Sequence, residues 1–208
     1  MNKYPIIILS IIFLIIAHIS IGQNFDINTL KKINGNESSF KTNYFNTAAN
    51  SVAVLNIVAP TSIYIAGEIK HNAELKKDAL YMAGAFVFST AVTHITKNIV
   101  KRKRPFEEYS FIVKRSDGGG YSFPSGHTSA AFTTATSLSL YFPKWYVIAP
   151  AYLWASSVGY ARMYEGVHYP TDVIVGAVVG AGSAWLGFKI QQWMDKKHTT
   201  HNKISNIK

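Results

Sequence analysis

Five long apolar stretches, at residues 52–69, 79–99, 128–142, 145–163 and 172–193, limit what this chain can fold into more than anything else in it. Each is too long for a strand and suited to a helix. Turn formers separate them: Lys76, Lys77 and Asp78, then Gly118 to Gly120 with Pro124, then Pro143, then Gly166 with Pro170. The expected fold class is all-α, a bundle of five core helices, six with the N-terminal segment, embedded in a membrane. Crossing a bilayer takes about twenty apolar residues, and the third stretch, dotted with Thr and Ser, is marginal by that measure. Polar residues can be housed inside a bundle, however, and Gly176 and Gly180 form a GxxxG step that lets helix backbones pack closely.

The segment ahead of the bundle has its own signature. Lys3 precedes an apolar run from Pro5 to Ala17, and Ser20 and Gly22 put small residues where a signal peptidase reads, just before Gln23. Residues 1–22 are expected to be a signal peptide or a first transmembrane helix, residues 23–50 a polar linker, 51–195 the functional domain and 196–208 a disordered polar tail. Lys70, Lys76, Lys77, Lys144, Lys189, Lys196 and Lys197 fall on one side if every stretch crosses. Together with Lys3 this follows the positive-inside rule and leaves the loops after the second and fourth core helices on the outer face. The chain has no cysteine, which excludes thiolate metal sites and cysteine nucleophiles. A net charge of +10 calls for an anionic partner without naming it.

The outer loops collect the chemically informative residues. Lys97 is followed by Arg104 and Pro105, then come Pro124, Ser125, Gly126 and His127, and last Arg162, His168 and Asp172. Three cations, two histidines and a carboxylate at one mouth suit phosphoryl transfer, whose transition state spreads negative charge over three equatorial oxygens. Ser125, Gly126 and His127 sit at a helix start, where free amides favour an anion. Asp172 can hold one nitrogen of His168 protonated and leave the other free to attack phosphorus. Taken singly, each residue also has a structural reading: Ser125 as an N-cap, His127 and His168 as exposed residues, Asp172 as a charge complementing a helix dipole, and the three cations as helix-end residues. The run Lys101 to Arg104 fits anionic lipid better than nucleic acid, which an exported protein rarely meets. His94 reads as a core residue, and Glu107, Glu108 and Asp117 lack the company of metal ligands.

Together the stretches resemble the three-part signature of the type 2 phosphatidic acid phosphatase superfamily: KxxxxxxRP, then PSGH, then SRxxxxxHxxxD. Ten signature positions agree between Lys97 and Asp172, and one departs, Ala161 standing where the family often has Ser. The resemblance implies a helical bundle of the phosphatase and haloperoxidase kind with its site at one end, working without metal or other cofactor. It implies that His168 is the nucleophile, that Asp172 orients it, and that His127 protonates the leaving oxygen and then activates water. It implies that Lys97, Arg104, Ser125, Gly126 and Arg162 bind phosphate.

The segment from Gly166 to Asp172 looks like the lipid-phosphatase version. The expected function is therefore hydrolysis of a lipid phosphate or pyrophosphate in a bacterial-type inner membrane, with the site facing the periplasm. The expected partners are a phosphorylated lipid and the membrane, without nucleic acid, and the oligomeric state is left open. A soluble periplasmic acid phosphatase of the same superfamily and a non-catalytic binder of anionic lipid are the alternatives.

Overall fold

The computed structural model describes residues 25–35 and 37–205, with side chains as far as residue 197. Residues 25–34 form α1. Next come α2 (Ser39–Ile69), α3 (Ala73–Val100), the single turn α4 (Pro105–Glu108), α5 (Gly126–Tyr141), α6 (Trp145–Tyr164) and α7 (Pro170–Ser205). No strand occurs among the described residues. The expected signal or first transmembrane segment, 1–22, lies outside them.

α5 is the axis of the bundle, packing against α2, α3, α6 and α7. Its Thr and Ser content, which weakens it as a spanning segment, suits this place. Thr128, Ser129, Thr133, Thr134 and Ser137 are all buried, and most of their hydroxyls have partners. Ser89 Oγ meets Ser129 Oγ at 2.6 Å, Thr133 Oγ1 donates to Ser129 O at 2.8 Å, and Thr134 Oγ1 donates to Asn56 Oδ1 at 2.5 Å. The small side chains admit α7 at backbone contact distance. A Cβ at Gly180 would lie 2.1 Å from Ser129 O, and one at Gly176 would lie 2.6 Å from Ser125 O.

Among the described residues, three helical segments are long and apolar enough to cross a membrane: α2, the α3 to α4 run, and α7 as far as Lys197. Their outward residues include Val54, Ile57, Val87, Ile95, Ile174 and Val178, all exposed. A bundle that turns such side chains outward is membrane-embedded, lipid replacing water around them. α5 and α6 do not reach that length and apolarity, so three of the five expected stretches qualify.

Two segments differ from expectation. Residues 23–50, read as a linker, are helical over most of the described part: α1 occupies 25–34, and α2 starts at Ser39, well ahead of Val52. Tertiary contact overrides local polarity here. Leu30 is fully buried against Ile112 and Tyr169, and Asn34 Nδ2 donates to Val113 O and Tyr164 O at 2.8 and 2.9 Å. Residues 196–208, read as a disordered tail, continue α7 as far as Ser205.

Antiparallel packing puts the chemical residues at one end. The C-termini of α3 and α6 and the N-termini of α5 and α7 meet there, tied by Ser125 N donating to Asp172 O at 3.0 Å. At the other end Lys77 pairs with Asp195 at 2.8 Å and Gln191 Nε2 donates to Asp78 Oδ1 at 2.7 Å.

Candidate active site

Arg104 anchors the site through backbone geometry. α3 stops at Lys101, whose φ of 52° is left-handed, and Pro105 opens α4 with Arg104 as its N-cap. The loop that follows folds its glycines over the guanidinium. Nε donates to Gly120 O at 3.0 Å, Nη2 to Gly119 O at 2.8 Å and Nη1 to Val167 O at 2.9 Å. A Cβ at Gly118 would sit 3.1 Å from Nη1, a tight contact that the guanidinium would have to shift to accommodate. Lys97, in the last turn of α3, donates to Tyr121 O at 2.6 Å and Ser122 O at 3.1 Å.

His168 lies in the turn between α6 and α7 and is 2 % exposed. Its Nε2 is 3.4 Å from Arg104 Nη1, and its Nδ1 is 3.4 Å from Asp172 Oδ2. A guanidinium only donates and an ionised carboxylate only accepts, so Nδ1 carries the proton and Nε2 keeps its lone pair. Burial drives the imidazole pKa down to about 3, against the opposing pull of Asp172. The ring is a neutral base or nucleophile.

Asp172, in the first turn of α7, is fully buried and saturated with donors. Oδ2 accepts from Ser122 Oγ at 2.5 Å and from Tyr169 N at 2.9 Å, and Oδ1 accepts from Arg102 Nη1 at 2.8 Å. Arg162, at the end of α6, pairs through Nη1 with Glu165 Oε2 at 2.5 Å and donates through Nη2 to Asp117 O at 3.3 Å. Its buried Nε has no protein partner, so one charged donor is left for an anion. Burial raises the Glu165 pKa, with Arg162 pulling the other way.

α5 supplies the remaining wall. Ser125 is its N-cap and is fully buried, its Oγ accepting from Thr128 Oγ1 at 2.9 Å. Gly126 and His127 line a cleft of about 350 Å³ together with Lys97, His94 and the apolar Val52, Ala53, Phe86 and Ala130. His127 is exposed to this cleft. Desolvation there, then Arg162, Arg104 and Lys97, hold its pKa down at about 4.

Lys97, Arg104, His168 and Asp172 are thus joined by contact or by a shared loop. His127 is near enough to the same group to feel the charges of Arg162, Arg104 and Lys97. Ser125 and Gly126 close one side. Ala161, where the signature often has Ser, is fully buried in α6. Sequence reasoning missed Ser122, Arg102, Glu165 and Asp26. Arg102 was visible as a cation within a basic run, and the other three carried no local signal.

The sequence model described as the PAP2 superfamily matches residues 78–196. A lipid A 4'-phosphatase of Bacteroides thetaiotaomicron is 36% identical over 88 residues, covering 42% of this chain and 39% of its own. An undecaprenyl-diphosphatase of Sulfolobus acidocaldarius is 33% identical over 120 residues, 56% of each chain. This chain therefore spans about half, or less, of these curated relatives. The crystal structure of Aquifex aeolicus LpxE superposes with a TM-score of 0.69 at 28% identity, covering 79% of this chain and 95% of that one.

Proposed function

This chain belongs to the PAP2 superfamily, and from that premise we propose that it is a membrane phosphatase that hydrolyses a lipid phosphate or pyrophosphate through a phosphohistidine at His168. The observation that carries the reading is the geometry of His168: its Nδ1 lies 3.4 Å from Asp172 Oδ2 and its Nε2 lies 3.4 Å from Arg104 Nη1, which suits a neutral ring protonated at Nδ1. An imidazole so held is a nucleophile beside an anion site.

In the first step Nε2 of His168 attacks phosphorus and the bond to the leaving oxygen breaks. Lys97, Arg104 and Arg162 neutralise the equatorial oxygens, and the Gly126 amide and Ser125 help hold them. His127 gives its proton to the leaving oxygen. The incoming phosphate supplies the negative charge that lets His127, otherwise neutral among three cations, carry that proton. In the second step His127 takes a proton from water, the hydroxide attacks phosphorus, and inorganic phosphate leaves as the bond to Nε2 breaks.

The cleft between α2, α3 and α5 supports a lipid rather than a water-soluble ester, because apolar walls lead up to Lys97 and His127. The related proteins named as lipid A and undecaprenyl phosphatases support the same class. The lysine-rich opposite end supports an outward-facing site. Phosphate release from lipid A, undecaprenyl diphosphate, phosphatidate and phosphatidylglycerophosphate, assayed side by side in micelles, tests the reading. At least one should be hydrolysed, with His168→Ala losing at least a thousandfold while staying folded and EDTA leaving the rate intact. Turnover that survives His168→Ala, or that EDTA abolishes, defeats the mechanism.

A further inference from the structure

Asp26 lies in α1, far in sequence from every motif, yet it is 2 % exposed and fully engaged at the catalytic end. Its Oδ1 accepts from Thr171 N at 2.9 Å, and its Oδ2 accepts from Thr171 Oγ1 at 2.6 Å and from Arg102 Nη2 at 2.7 Å. The other arm of the same guanidinium, Nη1, donates to Asp172 Oδ1 and to Thr171 Oγ1, both at 2.8 Å. Tyr169 closes the face of the guanidinium, with its ring centroid 3.8 Å from Cζ. One cation is therefore held between two carboxylates, and the second carboxylate is the one that faces His168.

We infer that Asp26 is a positioning residue for the His168 nucleophile, acting through Arg102 and Asp172, so that α1 is part of the catalytic apparatus. This rests on the reading of His168 as nucleophile. The physical argument is one of charge. Arg102 paired with Asp172 alone would be a neutral pair, with the carboxylate's charge spent on the guanidinium. With Asp26 sharing that cation, the trio carries a net charge of about −1. That surplus faces the imidazole, which becomes positive as Nε2 bonds to phosphorus. Geometry acts in the same direction. Asp26 fixes one arm of the fork and thereby sets where Nη1 holds Oδ1, and so the angle at which Oδ2 meets Nδ1–H. A carboxylate that only docked α1 would not need the guanidinium that holds the nucleophile's partner.

The test uses the full chain in detergent micelles with ¹⁵N-labelled histidine, the His168 ring signals being assigned by their loss in His168→Ala. Wild type should show the neutral ring protonated at Nδ1. Asp26→Asn should shift the His168 ring nitrogens while the other histidines stay in place. It should also lower kcat roughly tenfold to a hundredfold on whichever of phosphatidate and undecaprenyl diphosphate is turned over, with KM within about twofold. Asp26→Glu, which keeps the charge, should retain at least about a third of kcat. Should Asp26→Asn not fold, Asp26→Gln set against Asp26→Glu makes the same comparison. Ring nitrogens unmoved from wild type in a folded, charge-neutral variant overturn the proposal, whatever happens to melting temperature. Inertness of wild type toward every phosphorylated lipid sinks the phosphatase reading instead, and the ring nitrogens still decide this one.

Discussion

Two histidines carry the proposed chemistry, and both are held neutral, His168 by burial and His127 by desolvation among cations. Their folded pKa values of about 3 and about 4 lie below the ordinary 6.5. Between those limits the unfolded chain binds more protons than the folded one, so stability rises with pH through this window and is lost as pH falls. The melting temperature in detergent is therefore expected to drop steadily from pH 6.5 toward 4.5, before most carboxylates titrate. His168, being fully buried, accounts for a few kcal/mol at the acid end, on the order of 1.4 per pH unit. Inorganic phosphate should flatten the slope, because its charge favours protonated His127. A flat profile from pH 7 to 4.5 rules out neutral burial of His168. Glu165 and Arg162 make a second residue-scale case. Both are buried, and Glu165→Ala leaves a guanidinium without its countercharge, which should cost about 3–5 kcal/mol in stability. A denaturant midpoint unchanged in that variant rules out a stabilising pair. Motif residues such as Arg104 and His168 were legible because they are chemically distinctive types at fixed spacings. Ser122 and Asp26 were not. They are common types whose partners lie 50 and 76 residues away, and only the fold brings those partners near.

Helix α5 shows how an element can be marginal for a membrane and indispensable to the bundle. Its hydroxyls and alanines give α7 a surface to approach, and the approach sets the spacing between the α5 start, with Ser125 to His127, and the α7 start, with Asp172. The GxxxG step was legible as close packing, since glycine spacing alone specifies it. The identity of its partner was not, because contact between α5 and α7 arises from tertiary topology. The same cause hid α1: its polar sequence shows no helical period, and its order comes from Leu30, Asn34 and Asp26 meeting residues beyond position 100. Gly180→Ala places a methyl 2.1 Å from Ser129 O, which the backbone can relieve only by parting the two helices. The expected outcome is a loss of about 1–3 kcal/mol in stability, with phosphate release falling further than the folded fraction does. Gly182→Ala is the control. Nothing lies within 4 Å of its Cβ position, and it should melt and turn over like wild type. Equal behaviour of the two variants refutes the claim that α7 gauges the site through Gly180.

Across the whole molecule the two ends differ in kind. One gathers Lys97, Arg102, Arg104 and Arg162 around buried carboxylates and backbone carbonyls, and it also leaves Lys101, Lys103 and Lys114 exposed beside them. The other holds Lys70, Lys76, Lys77 and Lys144 at helix ends and turns and Lys189, Lys196 and Lys197 along the later part of α7, beyond a belt of exposed Val, Ile and Leu. Lysines outside a site act on topology through the membrane potential and anionic lipid, and they are retained on the inner side. The catalytic end should then face outward, where a phosphorylated headgroup can reach it from the outer leaflet. Because the chain has no cysteine, the expectation can be checked one engineered thiol at a time. Phe111→Cys lies on the site-end loop, where Phe111 is 51% exposed, and should react with a membrane-impermeant maleimide in intact cells. Lys144→Cys, in the turn between α5 and α6, should react only once the membrane is permeabilised. The reverse pattern would put the site on the inner face and would require the lysine-rich end to be exported against the potential.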